Sequence, residues 1–335
     1  MELHIRRRNQ ATLLTTCLKD PAGYGRILRN EKGEIKGIVE EREATSTQKK
    51  IKEVNGGVYC FQAPELFHAL YRISRSPVKG EYYLTDVIAL LRKRRKELGV
   101  LQIPDSEEII GVNTRRDMVR VRDLIRYRIL DKLMLSGITV VDPSSTTVEP
   151  GVSIGRDTVL YPQTLITGET RIGQGCHIGP FTLIQKCQVG NRVKIRASFL
   201  YESRIRHDAE IGPFTHLRPG SSIDERVRVG NFCEVKNSRI GRATKMSHLS
   251  YLGDAIVGEK VNIGAGVITC NYDGVKKYRT TIGNQAFIGS DVQFIAPVRI
   301  GKKAYIAAGS TITENVPSGK LAIARSRQVI KKMKK

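Results

Sequence analysis

The chain has 335 residues and carries 56 Lys and Arg against 33 Asp and Glu, for a formal net charge of +23. A chain of this length can bury more than one core, so two domains are expected. No run of apolar residues is long enough to cross a membrane, and the start has no apolar signal core. We therefore expect no membrane insertion and a cytoplasmic location.

The strong positive charge favours anionic partners, which include nucleic acid, membrane lipid and phosphorylated small molecules. The sequence has no Trp, 6% aromatic residues and no stacking platform or recognition-helix motif. We therefore expect no nucleic-acid partner. Its six Cys are scattered without a Cys-x-x-Cys pair, which predicts reduced thiols.

Residues 1–113 predict an α/β segment. Short strands are expected at 36–40 and 57–61, and helices at 64–74 and 85–98. The start is polar and basic, with no Gly-rich phosphate loop and no long buried strand ahead of these elements. We interpret this segment as a truncated remnant of an α/β domain whose uncovered strand edges favour aggregation or local disorder.

A linker helix is predicted over 114–137. Thr114 suits the N-cap, apolar residues then recur three or four positions apart, and Gly137 suits the stop. This helix marks the boundary between the two predicted domains.

Residues 138–320 repeat with a period of six. Neither a helix nor one flat strand has that period, but a solenoid with three flat faces does, and the pattern spans roughly nine coils. An ordinary β-sandwich would not keep one interval across so many strands. Gly often follows the repeating aliphatic residue, which we interpret as a corner free of Cβ atoms. The repeating residues are Val148, Ile154, Leu160, Ile166, Ile172, Ile178, Ile184, Ile205, Ile211, Leu217, Ile223, Val229, Val235, Ile282, Ile288, Phe294, Ile300, Ile306 and Ile312.

The rhythm breaks between Thr269 and Ile282, so the segment CNYDGVKKYR is expected to leave the coil as a loop. Residues 321–335 form a basic C-terminal tail, for which disorder is the simplest interpretation. The fold class is therefore mainly β, with a C-terminal parallel β-helix preceded by a partial α/β domain and a helix.

Several local motifs carry a family resemblance. In chain order they are DPAGYGRI, GIVEEREAT, KEVNGGVY, GEYYLTDVI, EIIGVNTR, HLRPG, GNFCEVKN, HLSYLGDA, VNIGAGVITCNYDG, IGSD and AAGST. The sequence resembles the bifunctional bacterial enzymes that join a glucosamine-1-phosphate N-acetyltransferase to an N-acetylglucosamine-1-phosphate uridylyltransferase. The resemblance covers almost the whole chain. It implies an α/β nucleotidyltransferase-like first domain, a left-handed β-helix, assembly as a homotrimer, and acetyl-CoA and glucosamine-1-phosphate as substrates.

His248 in SHLSYLGD matches the proton acceptor of these acetyltransferases. A neutral imidazole can take a proton from the amine during acetyl transfer, although a lone His is more often an ordinary surface residue. The residues that match the amino-sugar phosphate site are Arg218, Lys236, Tyr251, Asn262 and Lys277.

The acetyl-CoA site is matched partly by small residues, which suit a thin pantetheine arm but also suit any tight coil. Arg325 could meet the phosphates of the cofactor, or simply belong to the basic tail. The matched residues are Ala265, Asn271, Tyr272, Ser290, Ala308 and Arg325.

The uridylyltransferase half is matched only by Gly25, Glu40, Asn55 and Asn113. In the family Asn113 matches a Mg²⁺ ligand, but one amide oxygen cannot hold Mg²⁺ by itself. We therefore expect that this chain alone does not hold the metal and lacks uridylyl transfer, as if half of that domain were missing.

Other functions stay open at the level of sequence. Hexapeptide solenoids also form zinc carbonic anhydrases, but His177, His207 and His216 lack a ligand-like spacing. An inactive trimeric scaffold that binds sugar phosphates is a second alternative. A half-enzyme that needs a separate polypeptide for UTP-dependent uridylyl transfer is a third.

Overall fold

The computed structural model describes residues 1–76 and 80–333. Contacts divide the chain into two compact units, Met1–Val121 and Arg122–Lys335. The first unit is α/β and the second is built almost entirely from short parallel strands. The predicted fold class is therefore confirmed.

The first unit is a mixed sheet flanked by helices, with its described strands in the order β3-β2-β4-β1-β5. Leu13, Ile27, Ile88 and Leu91 are among the residues that fill its core. Its elements are α1 Glu2–Arg6, β1 Ala11–Cys17, β2 Arg26–Arg29, β3 Ile35–Val39, α2 Ser46–Lys49, β4 Glu53–Phe61, α3 Ala63–Leu70, α4 Asp86–Lys93, β5 Leu98–Gln102 and the 3₁₀ turn Ser106–Ile109.

Strand β1 overturns the prediction that no long buried strand lies at the start. It runs between β4 and β5 inside the sheet and is buried along most of its length. The sequence did not indicate this strand because Thr15 and Thr16 are polar, yet both are buried. The Thr15 hydroxyl donates to Glu53 and the Thr16 hydroxyl donates to the Ile103 carbonyl. A hydroxyl with a partner is buried at little cost. The described part of the unit therefore has a packed core around β1, while β3 and β5 lie at the two edges of its sheet.

Strand β5 was also missed. The helix predicted over 85–98 ends at Lys93, and the chain then enters a strand that pairs in parallel with β1. Arg95 takes a left-handed φ of 56° just after that helix, which ends it without a glycine signal.

Helix α5, Arg115–Leu135, lies where the linker helix was predicted. Thr114 caps its start by accepting from the Asp117 N–H, while the Asp117 carboxylate accepts from the Thr114 N–H. Gly137 follows its end at a φ of +92°. Leu130 near its C-terminal end is fully buried in the core of the second unit, so that end of the helix covers the mouth of the solenoid.

The second unit is a left-handed parallel β-helix with three faces. Face A consists of Ser153–Ile154, Arg171–Ile172, Gln188–Val189, Arg204–Ile205, Ser222–Ile223, Arg239–Ile240, Ala255–Val257, Thr280–Ile282 and Val298–Ile300. Face B consists of Thr147–Val148, Thr164–Thr167, Thr182–Gln185, Phe199–Tyr201, His216–Leu217, Ile268–Cys270, Gln293–Ile295 and Thr311–Ile312. Face C consists of Thr139–Val140, Val159–Leu160, His177–Ile178, Lys194–Ile195, Glu210–Ile211, Asn262–Ile263, Phe287–Ile288, Tyr305–Ile306 and Leu321–Ala322.

Two longer strands, Arg228–Lys236 and Lys245–Gly253, run without a break from face C onto face B. They pair with each other over almost their whole length. The otherwise segmented solenoid is therefore most continuous at the turn of coil that carries His248.

The repeating aliphatic residues point into the prism, as predicted. Leu160, Ile166, Ile178 and Ile184 are fully buried, and their neighbours in register on the next coils are buried too. Only Ile154 at the N-terminal end is partly exposed among the residues that define the repeat.

Two kinds of glycine follow these aliphatics. Gly179 and Gly212 take left-handed φ values of 102° and 92°, as a corner requires. At Gly155 and Gly264 the φ is not left-handed, but an added Cβ would lie 2.6 Å from a backbone nitrogen of the next coil. Gly155 and Gly264 are thus required by the close approach of stacked coils rather than by the turn.

The solenoid continues past the predicted boundary at residue 320. Leu321 and Ala322 pair with Tyr305 and Ile306, and the Thr311 N–H donates to the Ala324 carbonyl. Across residues 1–76 and 80–333, no helix has the length and apolarity needed to span a bilayer.

Candidate functional site

His248 lies in the strand Lys245–Gly253 with its side chain exposed. Its Nδ1 is 2.6 Å from Oδ1 of Asn231, the residue in register on the preceding coil. Because an amide oxygen only accepts, this contact requires a proton on Nδ1, and in the neutral ring the lone pair is then on Nε2. The pair presents an imidazole in the tautomer that a general base requires.

Three cationic side chains of the predicted sugar-phosphate site gather near the end of face B. The pKa of Lys236 is lowered, first because it hydrogen-bonds to Lys277 and lies near that ammonium, and also because Arg218 is close. Arg218 is held by Glu234, with 2.9 Å between Nη1 and Oε1, and this hydrogen bond raises the arginine pKa. The mutual repulsion of the cations would be relieved by a bound dianion such as a phosphate.

Tyr251 adjoins this cation cluster and follows His248 by three positions, ~10 Å along an extended strand. Burial raises its pKa, and the carboxylate of Glu234 adds to the rise. An added Cβ at Gly253 would lie 2.3 Å from the Tyr251 hydroxyl oxygen. Gly253 therefore leaves the space that the phenol occupies.

The predicted loop leaves the coil after the strand Ile268–Cys270 and returns at Thr280–Ile282, as the break in rhythm indicated. Tyr272 and Lys277 form an antiparallel bridge across it. Asn271 at its base is buried and donates to Asp254, which also accepts from Asn237. The rigid base of the loop fixes Lys277 beside Lys236.

The small residues of the predicted acetyl-CoA site share one corner of the prism. Met246, Ile263, Ile288 and Ile306 are in register on four successive coils. Two positions beyond them stand His248, Ala265, Ser290 and Ala308. We call this row of four residues the corner ladder. Arg325 lies at its end, because its guanidinium donates to the Ala308 carbonyl at 2.7 Å. The ladder gives a thin chain-like ligand a path that leads to the imidazole.

The structure separates three predicted residues from the groups to which they were assigned. Asn262 lies on face C, in register with Lys245, around the corner from the cation cluster on face B. Asn271 and Tyr272 lie at the loop, and Asn271 contacts Tyr251 rather than the corner ladder. Within one chain, therefore, Asn262 does not join the other predicted sugar-phosphate residues.

Sequence reasoning missed Asn231, Glu234 and Asp254, which orient His248, Arg218 and Asn271 respectively. Asn231 and Glu234 each lie close to one coil length before or after their partners. That spacing was available as a signal, because residues one coil apart stack directly.

An exposed apolar ridge runs along the same corner as His248. Phe181, Phe214 and Phe232 each occupy a left-handed φ between 52° and 56°, and Leu249 follows at 39°. Their side chains are 58–63% exposed, and the rings of Phe214 and Phe232 stack at 5.2 Å between centroids. Bulky residues rarely adopt this conformation. The corner therefore has a strained backbone and presents apolar side chains outward.

The predicted uridylyltransferase residues divide into two groups. An added Cβ at Gly25 would lie 3.5 Å from Glu40 and 3.6 Å from Asn55, and the Asn55 N–H donates to the Gly25 carbonyl. Glu40 accepts from Thr85 at 2.9 Å, and Asn55 donates to the Tyr59 hydroxyl at 2.6 Å. Three of the four residues thus converge on one place.

Asn113 lines a separate cavity of about 680 Å³ with Gly23, Tyr24 and Asp117. The Asp117 carboxylate is occupied by Thr114 and the start of helix α5, and this hydrogen bonding lowers its pKa. Within residues 1–76 and 80–333, no group of three or more His, Cys, Asp or Glu side chains could hold a metal ion.

The chain resembles several known proteins. The model of the bacterial transferase hexapeptide (six repeats) matches residues 279–314. The bifunctional protein GlmU of Geobacillus sp. (strain WCH70) is 49% identical over 331 residues, which cover 99% of this chain and 72% of that protein. The GlmU of Halalkalibacterium halodurans is 48% identical over 331 residues, covering 99% of this chain and 73% of that protein.

A solved structure, the UDP-N-acetylglucosamine acyltransferase of Francisella novicida, aligns with 56% of this chain and 67% of its own. The two sequences are 18% identical, and the TM-score of the superposition is 0.32. The GlmU matches cover nearly three quarters of each relative, and so do not support the description of a missing half domain. At about half identity over nearly its full length, this chain belongs to the family of bifunctional GlmU proteins.

Proposed function

We propose that this protein transfers an acetyl group from acetyl-CoA to the amine of glucosamine-1-phosphate, giving N-acetylglucosamine-1-phosphate. Membership of the GlmU family supports an acyltransferase role, and the substrates are the finer part of the proposal. The observation that carries it is the position of His248, whose Nδ1 contacts Asn231, with a cation cluster on one side and a ladder of small residues on the other.

In the proposed reaction the amine nitrogen attacks the carbonyl carbon of the thioester. Nε2 of His248 takes a proton from that nitrogen. The new C–N bond replaces the C–S bond, and the thiolate of coenzyme A leaves and takes up a proton. Arg218, Lys236 and Lys277 bind the phosphate, while Asn231 holds the imidazole in its basic tautomer.

We also propose that the active form is a homotrimer whose sites lie between chains. The apolar ridge next to His248 has the exposure and composition of a buried contact. The position of Asn262 on another face supports the same arrangement, since a second copy could bring its Asn262 to the cation cluster. The number of copies comes from the family resemblance.

The expectation that these 335 residues alone do not perform uridylyl transfer stays a prediction. It is tested by measuring pyrophosphate release from UTP and N-acetylglucosamine-1-phosphate, with and without added Mg²⁺. Steady turnover by the purified chain would contradict it.

The acetyltransferase proposal is tested by following coenzyme A thiol release with glucosamine-1-phosphate as acceptor. We expect His248→Ala to lower kcat by about 10²–10⁴-fold, the usual contribution of a general base, with the Kd of the sugar phosphate little changed. His177→Ala, which removes an exposed imidazole on face C, is the matched control and should keep its activity.

An inactive scaffold gives a different pattern in the same assay. It would bind glucosamine-1-phosphate without any acetyl transfer by the unmodified chain. A carbonic anhydrase would instead lose CO₂ hydration on zinc removal, whereas the proposed acetyl transfer should be indifferent to chelators.

A further inference from the structure

A groove of about 570 Å³ lies on face A, away from the face B and face C residues of the proposed acetyltransferase site. We call it the arginine groove, and the side chains that define it are Arg171, Arg204, Arg206, His207, Asp224 and Arg239. Neither the family match nor the proposed reaction assigns it a role.

The arginines of the groove follow from the register of face A. Arg171 pairs with Gln188, Gln188 with Arg204, Arg204 with Ser222, and Ser222 with Arg239. Arginines thus stand on every second strand, ~10 Å apart at the usual strand spacing. The result is a straight row of three guanidinium groups ~20 Å long.

Asp224 is the one carboxylate among the groove side chains, and its negative charge offsets only part of the positive charge of the arginines. It lies 3.8 Å from Arg206 and 3.7 Å from Arg239 and holds both guanidinium groups toward the groove. Arg171 and Arg204 have no ion pair within the described part of the chain. Four guanidinium groups facing one carboxylate leave the groove strongly positive.

His207 adds a neutral donor. Its Nδ1 accepts from the Asn191 N–H at 2.9 Å, so the remaining proton of the neutral ring is on Nε2. Ser222 adds a hydroxyl, and the groove lining contains no Phe, Tyr or Trp on which a base could stack. The chemistry therefore fits the phosphate groups of a ligand and not its bases.

We propose that the arginine groove binds an extended oligophosphate anion, whose chain of phosphate groups lies along the row of arginines. A single phosphate can meet only one or two of the guanidinium groups, whereas a chain of phosphates gains from several at once. This inference does not depend on the acetyltransferase proposal.

The test is isothermal titration calorimetry of the whole protein with sodium tripolyphosphate, orthophosphate and an oligothymidylate of matched charge. We expect tripolyphosphate to bind more tightly than the other two, and Arg171→Gln with Arg204→Gln to weaken it about tenfold or more. Arg299→Gln is the matched control, because Arg299 is exposed on the same face but outside the groove.

Lys236→Gln separates this groove from the proposed sugar-phosphate site, and it should leave tripolyphosphate binding in the groove unchanged. The proposal is overturned if orthophosphate binds equally well, if Arg299→Gln weakens binding as much as the groove variants, or if the oligothymidylate binds more tightly. Circular dichroism of each variant shows whether the solenoid has kept its fold.

Discussion

The contact between Asn231 and His248 decides the chemistry available at the proposed base. A carboxylate in place of the amide would stabilise the protonated imidazole, because an opposite charge favours the charged form. An amide carries no charge, and its oxygen accepts a hydrogen bond only from a protonated Nδ1.

Asn231→Asp would place a carboxylate against Nδ1 of His248 and so favour the charged imidazolium. Since the base must be neutral to act, the acidic limb of the kcat/KM profile for acetyl transfer should move to higher pH. Asn231→Ala should lower kcat about 10- to 100-fold by releasing the ring. Equal profiles for Asn231→Asp and the unmodified protein would show that the contact does not position the base.

The cation cluster makes a second prediction at the scale of single residues. The pKa of Lys236 is lowered chiefly by Lys277, so Lys277→Met should return it upward toward the ordinary lysine value. Binding of glucosamine-1-phosphate should shift it in the same direction, because the phosphate stabilises the ammonium. The measurement is the pH titration of ¹³C-dimethylated lysines by NMR, with Lys260→Met, which lies outside the cluster, as control.

The buried thiols give a third prediction. Burial raises the pKa of Cys187 and of Cys233 to about 11. At pH 8 both should resist iodoacetamide while the exposed Cys17 reacts, since the thiolate is the reactive form. Peptide mass spectrometry identifies the alkylated positions, and early modification of Cys233 in the folded chain would contradict the description of the core.

At the scale of elements, the spacing between coils controls which residues each corner accepts. Gly264 has an ordinary φ, yet an added Cβ would meet the backbone nitrogen of Ser290 at 2.6 Å. Backbone cannot move aside in a stacked solenoid as a flexible side chain can.

Gly264→Ala should lower the free energy of unfolding of the solenoid by about 3 kcal/mol or more through overpacking. Gly309→Ala is the comparison, because its φ is +70° and the nearest atom to its Cβ would be 4.0 Å away. There only the left-handed strain of about 1 kcal/mol is expected. Thermal unfolding followed by circular dichroism ranks the two, and the reverse order would refute the close-approach explanation.

At the scale of the whole molecule, the apolar ridge should hold copies of the chain together. Phe214→Asp with Phe232→Asp places charge on the ridge, so sedimentation should show dissociation of the oligomer together with loss of acetyl transfer. Phe287→Asp changes an exposed aromatic residue on face C and serves as the control. A ridge variant that stays assembled and active would place the interface elsewhere.

Mixing variants tests whether sites are shared between chains. If Asn262 acts on the cation cluster of a second copy, inactive His248→Ala and impaired Asn262→Ala chains should regain activity when they are dissociated and reassembled together. Failure of every mixture to exceed its separate components would indicate sites contained within one chain.

Much of this architecture could be predicted from the sequence. A period of six can be satisfied only by a structure in which every sixth side chain enters the same core, and this local rule predicted the solenoid and the loop that carries Lys277. The helix that starts after Thr114 was predicted from its cap and from apolar residues three or four positions apart. Strand β1 was not predicted because Thr15 and Thr16 are residues that usually face solvent. Only the fold brings their hydrogen-bond partners, Glu53 and the Ile103 carbonyl, next to them.

The sequence by itself determined the family, the repeat and the identity of most candidate residues, because these depend on short motifs and regular spacing. Only the tertiary structure decided that Asn231 orients His248, that Glu234 holds Arg218, that Asn262 lies apart from the cation cluster, and that arginines on alternate strands form one groove. Each of these is a relation between residues one or more coils apart, and the distance between coils is set by hydrogen-bonded stacking rather than by any local sequence preference.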